Sequence, residues 1–300
     1  MRDLVSCFGE HAVKVSDSYC SGSSSSPSPS SHPPRSSVLS AVASLYSVKL
    51  SSHKCLIINL TWSKNPATGP SFSISVSDAA AAAAAAGVAS PIRKKRGSRS
   101  FDVGASRIDA AWDLSSAKYG PGPEPISDYH VAVVVDGKEY GLLLGDLYKD
   151  PPPKRLPCAE SAMVARRERV VGLSNYSTKA RFCDLGLDHE ITIRCREQEL
   201  SMFVDRKRAV HVENLQWNFR GCQTLFVEGL PVDVMWDVHD WYFNASSEGR
   251  AVVLFRRRSE LKSRLWMEEK VLEEEGVVVE ETEWVKNRFS LLIHACKSFP

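Results

Sequence analysis

From about residue 38 onward, apolar side chains recur at every second position, and the runs end at Gly, Pro, Asn or Asp. Period two predicts strands with one buried face. Leu56–Trp62 and Phe72–Val76 open the series, and Ala110–Leu114 adds a third around Trp112. Val131–Val135, Asp136-Gly137 and Tyr140–Leu144 predict a hairpin, because Asp-Gly supplies the positive φ angles of a type I′ turn. Arg169–Gly172, Thr178–Cys183, Glu190–Arg196, Leu200–Val204 and Val210–Val212 continue the pattern. Leu215, Trp217 and Phe219 alternate, as do Val232, Val234, Trp236 and Val238, which predicts Trp217 and Trp236 on inward faces. Only Ser259–Glu275 invites a helix, with Leu261, Leu265 and Leu272 on one side. Trp284–Cys296 returns to alternation.

These elements predict an all-β fold: an antiparallel β-sandwich or flattened barrel of about ten strands, one late helix and disordered loops. Residues 21–31 hold eight serines in eleven positions, and Pro33 and Pro34 follow. Such a stretch buries too little to offset its chain entropy, so residues 1–37 are expected to be a flexible segment with a linker. Residues 38–300 are expected to be one β-rich domain, with 78–100, an alanine tract and a basic cluster, as a surface insertion. Proteolysis is expected first within 21–37 and 90–100. No internal repeat is visible.

Charge adds little. Lys+Arg 38 against Asp+Glu 36 gives +2, which excludes a chain built to seek polyanions. The eight cysteines contain no Cys-x-x-Cys, so no zinc or dithiol motif is predicted, and reduced thiols fit an intracellular chain. Neither a signal-peptide core nor a transmembrane stretch is seen, and a cytoplasmic or nuclear location is expected. No phosphate loop, nucleophile elbow, His-Glu-x-x-His or dinucleotide fingerprint appears, and no cofactor, metal or catalytic residue is predicted.

Four places carry candidate chemistry. Alternation puts Asp233, Met235, Asp237 and His239 on one strand face at ~6.6–6.8 Å spacing. Asp237 and His239 would there form an acid–base pair or share a cation. Without chemistry, the same alternation buries Val232, Val234, Trp236 and Val238 and leaves the acids in solvent. Trp241 with Asp240 and Asn244 is an aromatic–polar patch suited to a glycan or small ligand. Arg93, Lys94, Lys95, Arg96 and Arg99 form an exposed basic loop, an import or partner motif, with Ser98 and Ser100 open to phosphorylation. Lacking interleaved aromatics, it is no specific nucleic-acid platform. Arg220 with Arg256, Arg257 and Arg258 forms an anion site only if their strands are neighbours.

Four motifs in order resemble a known family: Cys7-Phe8-Gly9-Glu10-His11-Ala12-Val13-Lys14-Val15-Ser16, Asn218-Phe219-Arg220-Gly221, Trp236-Asp237-Val238-His239-Asp240-Trp241 and Ser263-Arg264-Leu265-Trp266-Met267-Glu268-Glu269-Lys270. They resemble the plant family catalogued as domain of unknown function 868. The resemblance implies a plant origin and a β-rich domain, and brings no activity or site residues. The expected function is a non-catalytic protein-binding or adaptor module. Its alternatives are a lectin-like binder at Trp241 and an enzyme or metal protein at Asp237 and His239.

Overall fold

Alternation is realised as strands almost everywhere in the computed structural model, which describes residues 37–66, 69–79, 91–147, 156–183, 185–244, 249–258 and 289–297. In chain order the elements are β1 (Val38–Lys49), β2 (Cys55–Asn65), β3 (Gly69–Asp78), β4 (Arg96–Val103), β5 (Ser106–Asp113), β6 (Lys118–Tyr119), β7 (Pro125–Ser127), β8 (His130–Val135), β9 (Glu139–Gly145) and β10 (Glu160–Val171). There follow β11 (Tyr176–Ala180), β12 (His189–Arg196), β13 (Glu199–Val204), β14 (Lys207–Val212), β15 (Arg220–Val227), β16 (Leu230–Asp237), α1 (His239–Phe243), β17 (Arg250–Arg257) and β18 (Ser290–Cys296). The serine-rich segment, the N-terminal motif, Ala80–Ala86 and the predicted helix at Ser259–Glu275 lie outside the described residues.

One eight-stranded sheet runs β15-β16-β17-β18-β10-β1-β2-β3. Its pairs are antiparallel except β10 with β18, which is parallel. Two four-stranded sheets, β11-β12-β13-β14 and β4-β5-β8-β9, complete the architecture with the small β6-β7 ribbon. The sheets stay open, so the flattened-barrel alternative gives way to a sandwich.

Directly paired residues point to the same side of a sheet. One row crossing the long sheet reads Trp236, Val253, Ile293, Glu168, Val42, Trp62, Phe72. Val253 and Ile293 belong to the core under β11–β14, whereas Trp62 and Phe72 belong to the core under β4, β5, β8 and β9. Both small sheets therefore cover the same face of the long sheet, as two sandwiches side by side.

A buried polar network sits at the seam. Glu168 is 1% exposed and accepts hydrogen bonds from Arg166 Nε (2.7 Å), Tyr176 Oη (2.9 Å) and Thr178 Oγ1 (2.7 Å). Arg166 turns its other two nitrogens to Glu124, at 2.9 and 2.6 Å. Burial opposes the guanidinium charge, but Glu124 and Glu168 outweigh it and hold Arg166 firmly protonated. Burial also pushes the nearby Tyr46 phenol up to about 12.

Several expectations are corrected. The run Leu215, Trp217, Phe219 is not a strand: residues 215–217 turn, and Trp217 is 79% exposed. The basic cluster is not a free loop. Ile92 bridges to Phe72, Lys94 and Lys95 carbonyls accept bonds from Trp112 Nε1 and Leu114 N, and Arg96 starts β4. Early proteolysis within 91–100 is accordingly no longer expected, because that backbone is held in place. At the Asp-Gly hairpin Val135 pairs with Glu139, leaving three loop residues, although Asp136 and Gly137 do take the left-handed angles.

An internal repeat is present after all. The β4–β5 hairpin, Arg96 to Leu114, matches the β15–β16 hairpin, Arg220 to Val238, at a constant offset of 124 residues. Arg96, Gly97, Val103, Asp109, Trp112 and Asp113 recur as Arg220, Gly221, Val227, Asp233, Trp236 and Asp237. The contacts recur with them. Trp112 lies over Gly97 and donates to the Lys94 carbonyl (2.9 Å), while Trp236 lies over Gly221 and donates to the Asn218 carbonyl (3.1 Å). Arg96 pairs with Asp113 as Arg220 does with Asp237, and Ser100 bonds Asp109 as Thr224 bonds Asp233. A side chain at either glycine would collide with the tryptophan ring, so the ring is what requires glycine there.

The β13–β14 and β15–β16 turns meet at His189, whose side chain is 10% exposed. Its Nδ1 lies 2.6 Å from Asp205, in the first turn, and its Nε2 3.4 Å from Glu228, in the second. Burial alone would lower the imidazole pKa, but these carboxylates outweigh it and hold it above the ordinary value. The bond to His189 in turn holds Asp205 low. A raised histidine contributes fully below its unfolded pKa, about 6.5, and less as pH rises through the folded value; the depressed Asp205 contributes above about 3.9. The clamp is therefore strongest between about pH 4 and 6.5. Thermal melts from pH 6 to 8 should show a loss of Tm that His189→Gln abolishes. An equal loss in that variant would place the pH sensor elsewhere.

Candidate interaction surface

The acids singled out by alternation do sit on one side of β16, but the strand ends at Asp237 and His239 opens α1. Asp237 Oδ2 accepts a bond from Arg220 Nε (2.8 Å), and Oδ1 accepts one from the His239 backbone N–H (3.1 Å). The His239 ring turns away: its Nδ1 lies 2.9 Å from Asp240 Oδ1, and its ring centre lies 5.1 Å from those of Phe219 and Phe243. Asp237 thus touches His239 through the backbone. In the matching hairpin Asp113 holds Arg96 and the Ser115 backbone N–H in the same way. Ser115 stands where His239 does, so the aspartate closes a hairpin with or without an imidazole nearby.

Asp233, 5% exposed, is held by Thr224 and by Arg258 at 2.6 Å, which outweigh its burial and keep its carboxyl below the usual range. Arg256 also lies 4.0 Å away. The anion-site reading needs the strands of Arg220 and Arg256 to be adjacent, but β16 lies between them, and Arg220, Arg256 and Arg258 already hold carboxylates. Trp241 packs half-buried against the core, with Lys297 Nζ 5.9 Å from its ring centre. Lys297 also donates to the Asn244 carbonyl (2.6 Å). Arg93, Lys94, Lys95, Arg96 and Arg99 expose their side chains along a docked edge. Among the described residues, no group of three or more His, Cys, Asp or Glu side chains is placed to hold a metal.

A cleft of about 680 Å³ beside the seam is lined by Lys49, Glu160, Met163, Arg166, Lys179 and Arg181. Arg166 and Arg181 are engaged there by Glu124 with Glu168 and by Asp188.

The larger feature is the other face of the long sheet, which alternation could not assign to solvent or core. One outward row reads Cys222, Met235, Leu254, Leu292, Arg167, Ala43, Thr61, Ser73. The next reads Arg220, Asp237, Val252, His294, Arg169. None of these side chains belongs to either core. Met235, Leu254 and Leu292 are half-buried, whereas Arg167, Arg169, Arg250 and His294 are exposed. Burial and the guanidiniums of Arg169, Arg167 and Arg250 hold the His294 pKa low, so three positive charges converge there. From β15 to β3 the face runs from apolar, through basic, to small hydroxyl side chains.

A family model for plant proteins of unknown function, DUF868, matches residues 37–297. The chain belongs to that family. The match spans both sandwiches and the open face. No curated protein and no solved structure matches the chain. No described helix is long and apolar enough to cross a membrane.

Proposed function

We propose that this DUF868 chain is a non-catalytic protein-binding or adaptor module whose working surface is the open face of the long sheet. The observation that carries the reading is the Met235–Leu254–Leu292 row, three large apolar side chains on adjacent strands that serve neither core. All three stay partly open to solvent, and a contiguous apolar strip on a surface marks an interaction site. A glycan site at Trp241 has less support, because the ring is packed on one side and approached by Lys297 on the other. An acid–base site at Asp237 and His239 has less again, since Asp237 spends its oxygens on Arg220 and a backbone N–H. The basic edge at 93–99 is read as surface charge, because an import motif needs an extended, released backbone.

Proximity labelling in plant cells tests the reading. Leu254→Asp should still melt cooperatively, at a somewhat lower temperature, and lose a set of neighbours that the wild type labels. Changing Arg93, Lys94, Lys95, Arg96 and Arg99 to Gln should leave that set in place. An unchanged set in Leu254→Asp, with loss in the basic variant, would move the working surface to the 93–99 edge.

A further inference from the structure

We propose that the open face of β15–β18 and β10 docks an acidic amphipathic protein segment, with its apolar side on Met235, Leu254 and Leu292 and its carboxylates on Arg167, Arg169 and Arg250. This deepens the docking reading above and rests on it. The internal repeat supplies the first argument. The row Cys222, Met235, Leu254, Leu292 corresponds in the first sandwich to Ser98, Ala111, Ala132, Leu143. That hairpin and its neighbours fold with serine and alanines at the first three places, so bulk at Met235 and Leu254 is surplus to what the fold requires. Surplus apolar bulk on an outward face costs solubility and persists where something covers it.

Charge supplies the second argument. The carboxylates that β16 places on this face, Asp233 and Asp237, are already held by Arg258 and Arg220. Arg167, Arg169 and Arg250 have no carboxylate partner among the described residues, although they crowd His294. Like charges gathered beside an apolar strip are unfavourable alone and complementary to an acidic partner. Arg167 directly adjoins Leu292 across the β10–β18 pair, so apolar and acidic sides of one segment would meet their counterparts together.

The test is fluorescence anisotropy of the full chain with a labelled amphipathic peptide of leucine and glutamate, beside its leucine–lysine counterpart. The acidic peptide should bind, the lysine peptide should not, and added salt should weaken binding. Arg167→Gln, Arg169→Gln and Arg250→Gln together should weaken it about tenfold with the melt unchanged. Equal binding of both peptides, or an unmoved triple variant, overturns the acidic inference while loss in Leu254→Asp would keep the docking reading. No binding here, with an unchanged labelling set in Leu254→Asp, removes both. Binding to phosphatidylserine vesicles with none to the peptide, or self-association abolished by Leu254→Asp, also overturns the proposal.

Discussion

Arg166→Met is expected to destabilise the protein by about 3–5 kcal/mol, the cost of stranding a buried charge. Among the described residues the arginine is the one cation paired with Glu168, whose side chain is fully buried at the seam. Without it, Tyr176 and Thr178 still donate, but the carboxylate has no counter-charge and Glu124 loses both its bonds. Arg166→Met with Glu168→Met should recover most of the loss, because a matched apolar pair leaves no buried charge behind. Urea unfolding of the three variants checks this. If the double variant is no better than the single one, the network is not the energetic unit described here. The wild type should unfold in one transition, since the sheet passes through the seam unbroken.

Trp112→Ala and Trp236→Ala are expected to cost about 3–5 kcal/mol each, with Trp236 at the lower end because it is half-buried. Each ring fills the space above an edge-strand glycine and satisfies a loop carbonyl, so its loss opens a cavity and frees a polar group. Trp217→Ala should change stability by no more than about 0.5 kcal/mol, as expected for an exposed site. Thermal melts of the three variants separate these cases. A large loss at Trp217 would mean that its exposed ring is covered in solution.

The contrast among these tryptophans shows what was legible in the sequence. Alternation located most strands and put Trp236 on the inward face, where direct pairing with Val253 keeps it. It failed at Trp217, because a turn through Leu215 carries apolar residues at the same spacing by accident. Most of β10 was hidden for the opposite reason: its inward positions include Arg166 and Glu168, which look like solvent residues until Glu124 and Tyr176 arrive from elsewhere in the chain. β4 was masked by its charges, yet an edge strand is where charge is tolerated and guards against sheet extension. The repeat was written in the residues all along, as Arg-Gly, an aspartate and Trp-Asp in each hairpin, but only the shared contacts make six scattered identities stand out. Asp233 and Asp237 share a side of β16, His239 does not continue it, and their partners are not readable from alternation, because Arg220 and Arg258 reach them from other parts of the chain.

Which side of a two-sided sheet faces water is the point on which the functional account turns. Peroxide footprinting of the intact chain, with methionine oxidation read peptide by peptide, tests it most directly. Met235 lies on the open face, and Met202 is fully buried in the core of the same sandwich. Thioether oxidation follows access. Met235 should oxidise several-fold faster than Met202 while the fold is intact. Equal protection of the two would mean that this face is already covered, and the working surface would have to be sought elsewhere.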